Sequence, residues 1–248
     1  MPMWWDDRFV PDPWETHAGW WQREFTGGVD AEYEEQILPL VDAHVVGARR
    51  VLDVGCGEGQ VARRVTGLGA EAVGLDPTVA QLTVARQRAG GPVYGRAIAG
   101  ALPVRDGAFD AVVVCLVLEH VDPFEPAIAE IARVLEPDGR FVLFLNHPLL
   151  QTPDSGLVVD HDLDERYWRV GPYLPDDRAM EEVAPGVDLP FLHRPLHRYV
   201  NCMSEHGLLV EHMDEPAPPP GFVVRAPEYE FIAAIPRLLV LVARRTRR

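Results

Sequence analysis

Residues able to do chemistry sit at the ends of apolar runs in this sequence. Val51-Leu52-Asp53-Val54-Gly55-Cys56-Gly57-Glu58-Gly59 reads as a short buried strand entering a glycine-rich turn. Such a turn lets backbone amides, and the first turn of the following helix, approach a polar ligand closely. Asp76 lies 21 residues beyond Gly55, where α/β nucleoside sites place a carboxylate for the two ribose hydroxyls. It could equally cap the helix that follows it. Histidine is the natural base near neutral pH, and His120, His147 and His193 are the candidates. Of these, His147 is the best placed, directly after an apolar strand. Each could instead be a structural histidine tied to a loop carbonyl.

These residues need a frame, and the hydrophobic periodicity predicts one. Asp30 can cap a helix over about residues 31–46, with Ile37, Leu38, Val41 and Val45 at helical spacing. Strands are predicted over 50–54, 70–75, 93–97, 111–115 and 140–145, and helices over 60–67, 78–88 and 126–135. Strands alternating with helices predict a mostly parallel sheet with helices on both faces. In such a sheet ligands collect beyond the carboxyl ends of the strands.

The composition narrows the function. At 248 residues and 47% hydrophobic, the chain can form one sizeable domain. Its formal charge is −15 and all 23 basic residues are arginine; a net negative field disfavours nucleic acid as a general partner. The longest apolar run is too short for a membrane span, and the start of the chain lacks a signal-peptide pattern. Cys56, Cys115 and Cys202 do not make a disulfide framework. A cytoplasmic location is the expectation, with a small-molecule substrate, no membrane, and a monomer or homodimer. No tight metal-ligand spacing is read, so no metal is expected.

The glycine turn departs from the dinucleotide fingerprint G-x-G-x-x-G, because Gln60 takes the third glycine's place. Its D-x-G-x-G-x-G pattern, Asp53, Gly55, Gly57 and Gly59, resembles the first motif of the class I S-adenosylmethionine-dependent methyltransferases. Three further segments resemble that family in order, in particular its menaquinone and ubiquinone group. They are Ala101-Leu102-Pro103 through Phe109-Asp110, Leu118-Glu119-His120-Val121, and Arg133-Val134-Leu135 through Gly139. The resemblance covers roughly residues 50–146. It implies a Rossmann-like fold with a seven-stranded, mostly parallel sheet, in which residues 195–206 resemble the helix before the sixth strand at 208–213 and residues 238–243 the antiparallel last strand. It also implies S-adenosylmethionine as cofactor, S-adenosylhomocysteine as product, and methyl transfer to an oxygen or nitrogen of a small molecule. Cofactor contacts are then expected from Asp53, Gly55, Cys56, Gly57, Gly59, Asp76, Pro77, Gln81, Ala101, Leu102, Leu116 and Trp21. Where relatives often carry an acid for the adenine amino group, this chain has Ile98.

Outside that core, residues 1–28 hold Trp4, Trp5, Trp14, Trp20 and Trp21 with Phe9 and Phe25. Aromatics at this density need burial. The segment is read as a lid on the cofactor, with Trp20 and Trp21 as its contacts. Residues 29–146 form the cofactor-binding core. The segment 147–194 loses periodicity and is read as a long loop inserted over the substrate pocket. Residues 195–248 complete the sheet, and all four parts belong to a single domain, 1–248. Three alternatives stand beside this reading: a tRNA or protein substrate, a nucleotide-dependent oxidoreductase, and a cofactor-binding protein without catalysis.

Overall fold

The computed structural model describes residues 12–162 and 165–247. Trp4, Trp5 and Phe9 of the expected lid lie outside them. Five central strands, β1 Arg50–Val54, β2 Glu71–Asp76, β3 Val93–Arg96, β4 Phe109–Cys115 and β5 Leu135–Asn146, alternate with helices α3 Gln60–Gly67, α4 Val79–Arg88 and α5 Glu125–Val134. Helix α6 Leu196–Glu205 leads to β10 Leu208–Asp214, and β11 Leu238–Arg245 ends the fold. The seven strands lie in the order β10-β11-β5-β4-β1-β2-β3. β11 runs antiparallel to both its neighbours, β10 and β5. The remaining pairs, β5-β4, β4-β1, β1-β2 and β2-β3, are parallel. This is the Rossmann-like sheet that the resemblance implied.

Burial explains why these runs become strands. β4 is apolar without alternation because both of its faces are covered, as parallel central strands require. Leu52, Val112, Leu143, Ile128 and Ile131 pack on one face of the sheet. Ile37, Val41, Val61, Val113 and Val142 pack on the other. The order of the strands reverses between β1 and β4, so a crevice opens beyond their carboxyl ends.

The predicted helix 31–46 starts as expected, with the Asp30 carboxylate accepting the Tyr33 amide at 2.9 Å. It is not a uniform α-helix. Residues Tyr33–Ile37 form a π-helical turn before α2 Leu38–Val45, a distortion often found at functional sites. The turn at Glu136–Gly139 is also absorbed into a strand: β5 begins at Leu135, opposite Phe109, and slips register before Arg140 meets Ala111.

The segment 147–194 differs most from expectation. It is not an irregular loop but two β-hairpins, β6 Gly156–Asp160 with β7 Glu165–Arg169, and β8 Asp177–Ala184 with β9 Val187–His193. A period-two signal exists in Val187-Leu189-Phe191, but Pro190 inside it argues against a ladder strand. A two-stranded hairpin has free edges, so the missing proline amide costs little there.

Ahead of the sheet lies α1 Pro13–Glu24, capped by the Asp12 side chain on the Trp14 amide. Past β10 lies α7 Pro220–Arg225, which begins at the end of the proline-rich stretch 216–220. Among the described residues no helix is long and apolar enough to cross a membrane.

Candidate active site

A cavity of about 810 Å³, its open mouth included, lies beyond β1 and β4 under α1. The glycine turn forms its floor. Gly55 and Cys56 both donate to the Leu75 carbonyl, at 2.7 and 3.1 Å, folding the chain back over the end of β2. Gly55 has φ +73°, and a Cβ there would stand 2.4 Å from Val117 Cγ2. No other residue type allows β1 to turn so close to the end of β4. Gly57 has φ +53° and lines the cavity, with open space where a Cβ would point. Gly59 instead packs against Tyr94, whose hydroxyl would sit 2.3 Å from a Cβ. It shapes the start of α3 and does not line the cavity.

Three acids surround this floor. Asp76 accepts the Gly57 amide at 2.9 Å on one oxygen and the Thr78 amide at 2.8 Å on the other. It therefore ties the glycine turn to the start of α4, with the Thr78 side chain bonded to it as well. Asp53 accepts the Ala62 amide at 3.0 Å, and burial pushes its carboxyl up to about 7. Glu58 is paired with Arg63 and Arg88, both at 2.6 Å, while its Oε1 has no hydrogen-bond partner among the described residues. Glu58 is thus offset by its two arginines, and burial favours the protonated form of Asp53.

α1 roofs the cavity. Trp14 and Trp21 line it, and Trp21 stacks on Phe25 at 4.4 Å between ring centroids. Trp20 packs against Trp21 and Phe25 outside the lining. The Glu15 carboxylate reaches the first turn of α4 and accepts the Val79 and Ala80 amides at 2.7 and 2.9 Å. Gln22 donates to Gln81 Oε1 at 2.9 Å. Glu15, Tyr33 and Thr26 were not singled out in the sequence, and such long-range partners leave no local signal.

The three histidines separate clearly. His120 lines the cavity. Its Nδ1 lies 2.6 Å from the Pro190 carbonyl oxygen, so Nδ1 carries the proton and Nε2 keeps its lone pair. Trp14 and Phe191 stand edge-on to the ring at 4.8 and 4.6 Å. Burial lowers the imidazole to about 4. His147 is held elsewhere: Nε2 donates to Glu215 at 2.8 Å and Nδ1 accepts the Leu149 amide at 3.1 Å. Both ring nitrogens are engaged, and this removes it as a base. Chain order put His147 beside the crevice, but its ring turns toward β10. His193 donates from Nε2 to the Tyr173 carbonyl at 2.8 Å, buried and away from the cavity lining.

Of the expected cofactor residues, the cavity gathers Trp21, Asp53, Gly55, Cys56, Gly57, Asp76, Pro77, Gln81 and Leu116. Leu116 holds φ +55°, and strain of this kind in a non-glycine residue is characteristic of sites. Ala101 and Leu102 are not in the lining. The Leu102 side chain is buried in the core, its amide donating to Glu130 and its carbonyl accepting from Arg133. The Glu130–Arg133 pair fixes that loop to α5.

Residues 52–143 match a family described as a methyltransferase domain. A ubiquinone/menaquinone biosynthesis C-methyltransferase of Methylobacterium nodulans is 33% identical over 157 residues, 60% of each chain. An uncharacterized methyltransferase of Mycobacterium bovis is 40% identical over 135 residues, 54% of this chain and 53% of its own. The chain thus spans about half the length of the curated relatives it matches. The solved S-adenosylmethionine-dependent methyltransferase of Mesorhizobium loti superposes with TM-score 0.73 at 28% identity, covering 84% of this chain and 96% of that one. With the sheet order and the glycine turn, these matches identify residues 52–143 as a class I S-adenosylmethionine-dependent methyltransferase domain.

Proposed function

We propose that the protein transfers a methyl group from S-adenosylmethionine to a small, flat, largely apolar acceptor, releasing S-adenosylhomocysteine. His120 carries this reading: its free Nε2 shares one cavity with the glycine turn, and Trp14 and Phe191 flank its ring. When bound, the cofactor would supply an electrophilic methyl on a sulfonium. The remaining acceptor capacity of Asp76 is available to a ribose hydroxyl. Gly57 leaves room beside its backbone, and Trp14 and Trp21 on α1 roof the cavity.

The acceptor's electron pair forms the new bond to the methyl carbon. In that transfer the cofactor would keep the carbon–sulfur electron pair on its sulfur, and the acceptor's proton would pass to solvent at the open mouth of the cavity. His120 Nε2 can accept a hydrogen bond from an acceptor hydroxyl and align it, an orienting role. An imidazole near 4 is a weak base. It suits an acceptor that loses its proton easily, such as a phenol or quinol reacting at oxygen or at an activated ring carbon. The C-methyltransferase among the relatives supports a quinol class. Three buried free thiols fit a reducing compartment, the cytoplasm.

The test supplies cofactor labelled in its methyl group and a cell extract divided into small-molecule, RNA and protein fractions. Label is expected among small molecules, and mass spectrometry then names the acceptor atom. Label in RNA or protein would overturn the acceptor class. Tight S-adenosylhomocysteine binding with no transfer to purified phenols or quinols, or to any fraction, would overturn the catalytic reading.

A further inference from the structure

His44 on α2 and His212 and Asp214 on β10 converge on the edge of the sheet carrying β10, and none of the three lines the cavity. One ligand atom from each, two imidazole nitrogens and a carboxylate oxygen, all lie within 4.8 Å of one another. His212 Nε2 stands 2.9 Å and His44 Nε2 3.8 Å from the same Asp214 oxygen. Donors of a tetrahedral zinc, bonded at about 2.0–2.1 Å, stand roughly 3.4 Å apart. The set is therefore within side-chain adjustment of a ligand triangle.

Two features single this cluster out from ordinary surface polarity. His44 Nε2 is shielded from solvent and has no hydrogen-bond partner among the described residues, an unfavourable state for a polar atom that an imidazole could relieve by turning outward. In addition, the β10–β11 ladder slips register between Val210 and His212, and such bulges re-aim side chains. His212 and Asp214, two apart on a strand, then share one face toward α2. Burial and the neighbouring His212 lower His44, which favours the neutral imidazole that a metal needs. Arg140, whose guanidinium donates to the His44 carbonyl, adds a cation nearby. That charge opposes protonation of His44.

We propose that His44, His212 and Asp214 form a site for a borderline divalent transition metal, zinc in the first instance, that staples α2 to β10. Two imidazoles and one carboxylate match zinc and its neighbours, while calcium and magnesium prefer all-oxygen sets. Water would complete the coordination.

The experiment titrates the full chain, without a histidine tag and stripped of metal, with zinc chloride by calorimetry and with cobalt(II) by visible absorption. One equivalent is expected to bind. His212→Ala and Asp214→Asn should each weaken that binding at least tenfold, and His197→Ala, an exposed histidine elsewhere, should leave it unchanged. Undiminished S-adenosylhomocysteine binding in the first two variants shows that they are folded. The site is overturned if the wild type shows no saturable zinc binding. It is also overturned if His212→Ala and Asp214→Asn bind zinc as tightly as the wild type.

Discussion

The amide of Gly57 donates to the Asp76 carboxylate at 2.9 Å, so the glycine turn after β1 and the acid ending β2 form one hydrogen-bonded unit. Asp76→Ala removes an acceptor for the ligand and releases the turn as well. Charge-assisted hydrogen bonds are worth about 1–3 kcal/mol, so S-adenosylhomocysteine affinity should fall roughly 5- to 150-fold. Calorimetric titration checks this, and unchanged affinity would remove Asp76 from the ligand's partners.

Gly55 and Gly57 should fail differently. Gly55→Ala drives a methyl to 2.4 Å from Val117 at positive φ, and overpacking with left-handed strain costs about 2–4 kcal/mol of stability. Gly57→Ala meets nothing, so only the backbone term of about 1 kcal/mol applies. Its methyl enters the cavity, and ligand affinity should fall well beyond the loss of stability. Urea unfolding alongside ligand titration separates the two variants, and equal stability losses would contradict the geometry.

The Glu15 contact with α4 is the only carboxylate among the described residues capping that helix from α1. Glu15→Ala should detach the roof at a cost of about 1–2 kcal/mol, the usual value of an N-cap. Hydrogen exchange should quicken in residues 13–24 and at the Val79 and Ala80 amides, with β4 unaffected. Unaltered exchange in α1 would mean that Trp14, Trp21 and Phe25 hold it without the clamp.

Burial pushes the Glu119 carboxyl up to about 7, against the pull of the Asn146 hydrogen bonds. Asp53 is raised in the same sense. A folded-state pKa above the unfolded value means that the native state binds the proton more tightly. This contribution to stability is therefore greatest below about 4.5 and is lost as pH rises to about 7. Glu119→Gln keeps an acceptor for Asn146 and cannot ionise. Relative to the wild type it should gain on the order of 3 kcal/mol between pH 4.5 and 8. Unfolding curves across that range should diverge; parallel curves would show that Glu119 stays charged.

The strands and helices of the core were legible in the sequence because each is a local pattern. β4 is a continuous apolar run, α3 begins at a glycine, and Asp30 stands where a cap belongs. The glycine turn and Asp76 were legible because backbone conformation and chain spacing dictate them. The hairpins of 147–194 were hidden, since β8 buries no side chain fully and Pro190 interrupts the alternation of β9.

Side-chain direction was settled only by the tertiary structure. His147 follows β5 just as the sequence suggested, yet its ring is captured by Glu215, 68 residues away. His120 becomes the cavity's histidine because Pro190, from a distant hairpin, fixes its proton on Nδ1. Leu102 belongs to the core because Glu130 and Arg133 hold its backbone there. His44 meets His212 across 168 residues, a proximity that no sequence spacing encodes. Local propensity and periodicity act over a few residues and determined the frame. The chemistry depends on contacts between elements far apart in the chain, which exist only once the sheet has assembled.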